Sequence, residues 1–300
     1  MEKHVYSTAT WRSHPLHPQT PTEQPGDAAD FIFFLDLMNF SFWTAPGTVP
    51  FTVQYAGQRY TGYWSLVAAM RRAFDVDKIA IWDPKNMASL DGAAWHRIFR
   101  SDTGTEISFM SERIRAIREA GRVLCEKFDG SFVNVIRQAG QSAKHLMSLV
   151  LEHFPTFRDE SSYQGEKVYI YKRLQILVAD VWACFDGRSL GTFDDIDELT
   201  MFADYRVPQT LVHLGLLEYS PELRAALERG EVMANGDPRE VEIRAASIWA
   251  VERVRQVIAQ TANGSKLNSI MLDFYLWDLA KSSAEEMKHV PIHLTRCVFY

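Results

Sequence analysis

The apolar positions of this 300-residue chain change period several times, and each change marks an element. Phe31 to Trp43 (FIFFLDLMNFSFW) is apolar almost throughout and is the first stretch able to seed a core. FTVQYAGQRYTG alternates about Ala56-Gly57, which predicts a β-hairpin, the one piece of β-structure the pattern supports. From Trp64 to Phe74 the period turns helical, with Ser65 as a start signal. Ser111 followed by Glu112 to Phe128 predicts an amphipathic helix, and Gln141 to His153 another, stopped by Pro155. Val168 to Phe185 is apolar around most of its circumference and ends at Asp186-Gly187, the mark of a central buried helix. Pro208 to Leu217, Pro221 to Glu228, Pro238 to Gln260 and Leu267 to Leu279 complete the set, three of them with proline in the first turn. Residues 1–27 break the pattern. Pro15, Pro18 and Pro21 rule out a helix across them, so an extended or disordered Pro/His-rich arm is expected there. The expected architecture is mainly α with one small hairpin near the N-terminus, in a single domain over 28–300 that can divide into two packed helical lobes.

Composition narrows the picture. A hydrophobic fraction of 47% and an aromatic fraction of 12% describe a globular chain with a sizeable core. Eight Trp and eighteen Phe either pack that core or line a pocket that stacks a flat ligand. The net charge of −6 and pI near 5.9 argue against a polynucleotide binder, which draws most of its affinity from phosphate contacts. Arg113, Arg115, Arg118 and Arg122 form the densest cationic cluster, but Glu112 and Glu119 interleave with them, as on a solvated helix face. Cys125, Cys184 and Cys297 are odd in number and widely spaced, so neither a disulfide framework nor a zinc knuckle is suggested. No signal-like or membrane-spanning apolar run is present, which gives a cytoplasmic expectation, and the chain is taken as a monomer.

Two charged residues stand out as candidate chemistry. Lys172 lies within VYIYKRLQILVAD on a face that otherwise looks buried; it either snorkels to the surface or is an ammonium held in a pocket. Asp204 follows an apolar run and precedes the helix opened by Pro208; it is either a helix-capping aspartate or a pocket carboxylate near the positive helix end. Arg206 could pair with it or contact a phosphate. Glu240 and Arg244 read as an ordinary i,i+4 helix pair, and Asp273, Phe274, Trp277 and Asp278 as core or pocket. The nine histidines show neither HxH nor HExxH spacing, so neither a metal nor any other cofactor is expected. No GxGxxG, P-loop or GxSxG motif occurs, and the motifs alone name no reaction.

Longer blocks do. LMNFSFW (37–43), YTGYWSLVAAMRRA (60–73), RSDT (100–103), EKFDGSFVNVI (126–136) and YKRLQILVADVW (171–182) resemble the queuosine salvage protein family, the queuosine 5′-phosphate N-glycosylases. So do LTMFADYRVPQTLVHLGLLEYS (199–220), GDPREVEIRAASIW (236–249), NSIMLDFYLWDLA (268–280) and the closing RCVFY. The resemblance covers about Phe31 to Tyr300; the family carries a helical region before it, where this chain shows only the Pro/His-rich arm. It implies a fold related to helix-hairpin-helix DNA glycosylases, used on a free nucleotide, with a lysine and a later aspartate sharing the site. Those two map onto Lys172 and Asp204.

The implied reaction is hydrolysis of the N-glycosidic bond of queuosine 5′-monophosphate, releasing queuine. Its transition state is oxocarbenium-like. Queuine is a 7-deazapurine, so leaving-group protonation at N7 is closed and the base must be stabilised through its other polar edges. On this expectation Asp204 stabilises charge at C1′ and orients water, with Lys172 as its electrostatic support. Phe42, Trp43 and Trp64 stack the base, Asn39 meets a polar edge, Tyr205 contributes to the substrate site, and Arg206 and His213 take the phosphate. Two rivals remain at this point. A DNA- or tRNA-directed glycosylase would bind polynucleotide in a salt-dependent way, and a non-catalytic binding module would retain its ligand without turnover.

Overall fold

A computed structural model describes residues 7–19, 21–45, 47–261 and 267–300; residues 1–6 and 20 of the expected arm lie outside them. The described residues form thirteen α-helices and three two-stranded sheets. The first half runs α1 (Thr8–Arg12), α2 (Pro25–Leu37), β1 (Thr52–Tyr55), β2 (Gln58–Thr61), α3 (Tyr63–Asp75), α4 (Pro84–Ser89), α5 (Gly92–Ile98), α6 (Met110–Lys127), α7 (Phe132–Gln138) and α8 (Ala143–His153). The second runs β3 (Glu160–Tyr163), β4 (Glu166–Tyr169), α9 (Lys172–Cys184), α10 (Arg206–His213), α11 (Pro221–Glu228), β5 (Val232–Met233), α12 (Pro238–Ala259), α13 (Ser269–Ser282) and β6 (Leu294–Thr295). The mainly α expectation therefore holds. Among the described residues no helix is long and apolar enough to cross a membrane.

Local chemistry explains most boundaries. Asp83, Asp91, Ser131, Ser142, Ser220, Asp237 and Asn268 each accept a backbone N–H from the first turn of the helix that follows. The β1–β2 hairpin turns at Ala56 (φ 49) and Gly57 (φ 78), the paired positive φ that a two-residue turn needs. A second hairpin, β3–β4, turns the same way at Gln164 (φ 50) and Gly165 (φ 87). The sequence reading did not expect it, because Gln-Gly is a weaker turn signal than Asn-Gly. This hairpin corrects the central helix. Val168 and Tyr169 are strand, and α9 begins at Lys172, so the lysine opens the helix instead of sitting inside it.

The expected N-terminal arm is also corrected. Thr8 to Arg12 is helical, Leu16 and His17 are buried, and α2 starts at Pro25, ahead of the apolar run at Phe31. The three prolines do exclude helix where they stand, but they sit in the turns that fold this segment back onto the body. Arg71 Nε donates to Leu16 O at 2.7 Å, and Arg12 pairs with Asp186 at 3.3 Å.

Helices α2 and α9 pack against each other at the centre, with α7 against α2 and α8 against α9. A second apolar cluster joins α10, α12 and α13. The C-terminal strand β6 pairs in parallel with β5, and Tyr300 O accepts the N–H of Ser41 at 2.9 Å.

Candidate active site

A cavity of about 410 Å³ opens among α1, α9, α10, α13, the start of α3 and the loop after α2. Of the nine residues expected at the site, seven line it: Asn39, Phe42, Trp64, Lys172, Asp204, Tyr205 and Arg206. Trp43 and His213 do not. Trp43 is buried beside the C-terminal segment, where its indole N–H donates to Thr295 O at 2.8 Å and Arg296 lies 3.5 Å over its ring. His213 ends α10, about 10 Å along the helix from Arg206. Its ring neighbours His289.

The two central residues are placed by one buried ion network. Arg244 Nη1 and Nη2 donate to the two oxygens of Asp159 at 3.1 and 2.6 Å, and Nη1 also reaches Glu240 at 3.0 Å. Asp159 Oδ2 in turn accepts the backbone N–H of Lys172 at 3.2 Å, while Arg244 Nε donates to Ala203 O at 2.9 Å, next to Asp204. Tyr300 closes the network: its hydroxyl donates to Glu240 at 2.7 Å, and its ring lies 3.9 Å under the Arg244 guanidinium. Burial works against the Arg244 charge, yet Asp159 above all holds it above the ordinary arginine range. What reads in sequence as an ordinary i,i+4 pair is a fully buried clasp holding Lys172 and Ala203-Asp204 together.

Two more buried arginines set the loop carrying Asn39 and Phe42. Arg113 donates to the carbonyls of Ser108, Met38 and Phe40 at 2.7, 2.5 and 2.6 Å, and Arg173 to Leu37 O at 2.6 Å. Carbonyls at the C-terminal end of α2 are unsatisfied within the helix and carry its negative end, which suits guanidinium donors. Burial lowers these arginines to about 9 and about 10.

Electrostatics in the cavity are dominated by carboxylates. Asp204 Oδ1 accepts the N–H groups of Arg206 (2.7 Å) and Val207 (3.0 Å), so it caps α10 and faces the cavity at once; the two readings of Asp204 are both realised. Asp273 is 4% exposed and accepts Phe202 N–H at 2.8 Å; burial pushes its carboxyl well above the usual range. Asp180 behaves alike, and Asp36, behind it, is pushed up to about 7 by burial. Lys172 sits among them: burial lowers its ammonium, while Asp204, Asp36 and Asp273 pull the other way. Among the described residues Lys172 forms no ion pair with Asp204, Asp36 or Asp273, so it acts on these acids through the field.

Aromatic side chains supply the walls. Trp64 stacks on His14 with ring centroids 3.4 Å apart, and Tyr63 meets Trp277 edge-on at 6.0 Å. The N-terminal segment completes the enclosure, with Trp11, His14 and His17 lining the cavity. His17 Nδ1 bonds Trp11 O at 2.8 Å, which only a ring N–H can do, so Nε2 is left to accept the Tyr63 hydroxyl at 3.0 Å. Burial lowers this histidine to about 3 and keeps it neutral. Sequence reasoning missed His14, His17, Trp11, Asp180 and Lys281, and left Asp273, Phe274, Trp277 and Asp278 between core and pocket; all nine line the cavity. The signal for α13 was the pair of aspartates in an otherwise aromatic helix. Nothing local marked the histidines. Among the described residues no group of three or more His, Cys, Asp or Glu is placed to hold a metal ion.

A helical cavity, open to solvent on one side, with aromatic walls, buried carboxylates and a buried lysine defines a protein that takes up a small planar ligand and can do polar chemistry on it. The chain belongs to the queuosine salvage protein family, whose profile matches residues 16–300. It is 45% identical to the queuosine 5′-phosphate N-glycosylase/hydrolase of Mus musculus, over 97% of this chain and 86% of that protein. The proteins of the same name from Nematostella vectensis and Sphaerobacter thermophilus are 41% and 43% identical, covering 100% and 91% of this chain and 89% and 81% of theirs.

Proposed function

We propose that this chain hydrolyses the N-glycosidic bond of queuosine 5′-phosphate and releases queuine. The observation that carries the reading is the gathering of Lys172, Asp204 and Asp273 with stacking aromatics in one cavity, in a chain of this family. The excess of acid over base at the cavity floor also suits queuine, whose aminomethyl nitrogen is cationic at neutral pH, better than an ordinary purine.

The geometry divides the work between the carboxylates. Asp204 shares one oxygen with two backbone N–H groups, so it is fixed in direction, and such a carboxylate matches the N–H edge of a guanine-like ring. Asp273 is the more buried, and a charge in a low-dielectric wall acts most strongly on the cation developing at C1′. Asp273 therefore takes the charge-stabilising role first expected of Asp204. Burial keeps it a neutral acid in the free site; as the C1′–N bond breaks it passes its proton to the departing base, and the carboxylate left behind faces the cation at C1′ and takes the proton of the attacking water. Lys172 supplies the counter-field that allows this acid to ionise. The substrate is a free nucleotide, not a polynucleotide, consistent with the net charge of −6.

The test is incubation of the purified protein with queuosine 5′-monophosphate, queuosine and GMP, with product analysis for free base. Release of queuine from the monophosphate, and no guanine from GMP, is expected; intact substrate after many equivalents of enzyme would reject the reading.

A further inference from the structure

The broad face of Trp64 is covered by a side chain of the N-terminal segment. The His14 imidazole lies on it with ring centroids 3.4 Å and planes 17° apart, the arrangement a flat heterocyclic ligand would take on an indole. Tyr63 and Trp277 meet the same indole edge-on and the His17 ring is tilted to it, so among the described residues His14 alone stacks on it in parallel. Both rings of the stack line the cavity. The Leu16 N–H donates to His14 Nδ1 at 3.2 Å, which leaves the ring proton on Nε2, and burial lowers the pKa of the ring, so a neutral imidazole sits there.

The main chain around this ring is fixed, and the ring itself is not. Leu16 and His17 are buried, and Gln19 Nε2 donates to the carbonyls of His14 and His17 at 2.9 and 2.8 Å. The His14 side chain is only half-buried, between exposed Ser13 and exposed Pro15, so two torsions suffice to swing it from the indole toward solvent. That swing gives up the bond from Leu16 N–H, which water can replace on this open side, and the stack on Trp64. A bicyclic base offers an indole more area than a five-membered ring and regains the stack with a surplus.

We propose that His14 is a built-in competitor for the ligand: its imidazole occupies the stacking face of Trp64 and yields that face to an incoming flat base. Only a ring that stacks better than an imidazole is then seated there, and the indole face is kept from water until it arrives. The proposal rests on the reading of Trp64 as a base-stacking residue, not on which bond is cleaved.

The experiment uses queuine as the probe, so that binding is read without turnover, on wild type, His14→Ala and His14→Phe, each checked for folding by circular dichroism. By calorimetry, His14→Ala should bind queuine about threefold to tenfold tighter than wild type, the worth of one aromatic pair, and His14→Phe, with its larger ring, should bind it more weakly. The second reading is nuclear magnetic resonance of the His14 ring protons, assigned by their loss in His14→Ala. The Trp64 ring current shifts them upfield, and queuine should return them toward the values of an exposed histidine while the Leu16 amide exchanges faster. If His14 is instead a fixed wall against which the base packs, His14→Ala weakens binding, His14→Phe retains it, and the upfield shift persists at saturation. That pattern, equal affinities in all three proteins, or His14 resonances unmoved by millimolar queuine would overturn the competitor. If queuine displaces the ring but wild type leaves queuosine 5′-monophosphate intact, the hydrolase reading fails and the competitor stands.

Discussion

At the scale of single residues, the buried charges separate into those that act and those that hold. Asp273→Asn keeps shape and hydrogen bonding but removes the charge facing C1′. It should lower kcat by about 10²–10⁴ with little change in KM, the pattern of an interaction made in the transition state. Asp204→Asn should instead raise KM for the nucleotide and weaken queuine binding, because it disturbs recognition of the base edge. Steady-state kinetics with queuosine 5′-monophosphate and calorimetry with queuine separate the two; a catalytic loss confined to Asp204→Asn would return the central role to that residue. Arg244 holds. Replacing it with Met leaves Asp159 and Glu240 buried beside no cation, and should cost about 3–5 kcal/mol in denaturant unfolding. The damage should reach activity as well, since Arg244 anchors both Ala203 and, through Asp159, the start of α9.

At the scale of elements, two contacts decide how the pieces meet. Helices α4 and α6 cross at Gly121, where a Cβ would lie 2.6 Å from Ala88 N and 2.8 Å from Pro84 O, backbone atoms that cannot swing aside. Gly121→Ala gains about 1 kcal/mol of helix propensity but should still destabilise the protein, because overpacking of this kind costs about 1–3 kcal/mol and here strikes main chain. A lowered denaturation midpoint at unchanged m-value is the expected signature. The N-terminal segment is held differently, through neutral His17. Its pKa of about 3 in the folded state lies below the ordinary histidine value, so its contribution is full above about pH 6.5 and is lost as pH falls toward 3. By pH 5 about 2 kcal/mol of the hold on residues 8–17 should be gone. Amide hydrogen exchange of that segment, corrected for intrinsic rates, should report the loosening, and His17→Gln should flatten its pH dependence. An equal slope in that variant would place the proton elsewhere.

At the scale of the whole molecule, the net charge bears on whether a polynucleotide can compete for the site. With a net charge of −6 the chain gains little from counterion release. Unmodified tRNA added at low salt should leave kcat/KM for queuosine 5′-monophosphate within about twofold; strong inhibition that fades with added salt would restore the polynucleotide reading.

Some of this was settled by the chain before it folded. The period of apolar residues determined a mainly helical protein, prolines placed the starts of α11 and α12, and the blocks around Lys172 and Asp204 carried the family and its reaction. These are local properties, set by which side chain follows which. Other features depend on residues far apart in sequence. The β3–β4 hairpin rests on a positive-φ Gln-Gly turn that no strong signal announces, and it moved the start of α9 to Lys172. Trp43 and Trp64 look alike as aromatic candidates, but packing against Thr295 and Arg296 takes the first away from the cavity and stacking on His14 keeps the second there. Arg244 and Glu240 show the same limit: helical spacing gives the pair, and only the approach of Asp159, Ala203 and Tyr300 makes it a buried clasp. Burial also decides the chemistry of Asp273, whose proton affinity comes from the protein packed around it and not from its neighbours in the chain. Sequence specifies elements because backbone conformation answers to nearest neighbours. Tertiary structure decides the site because desolvation and charge act through space.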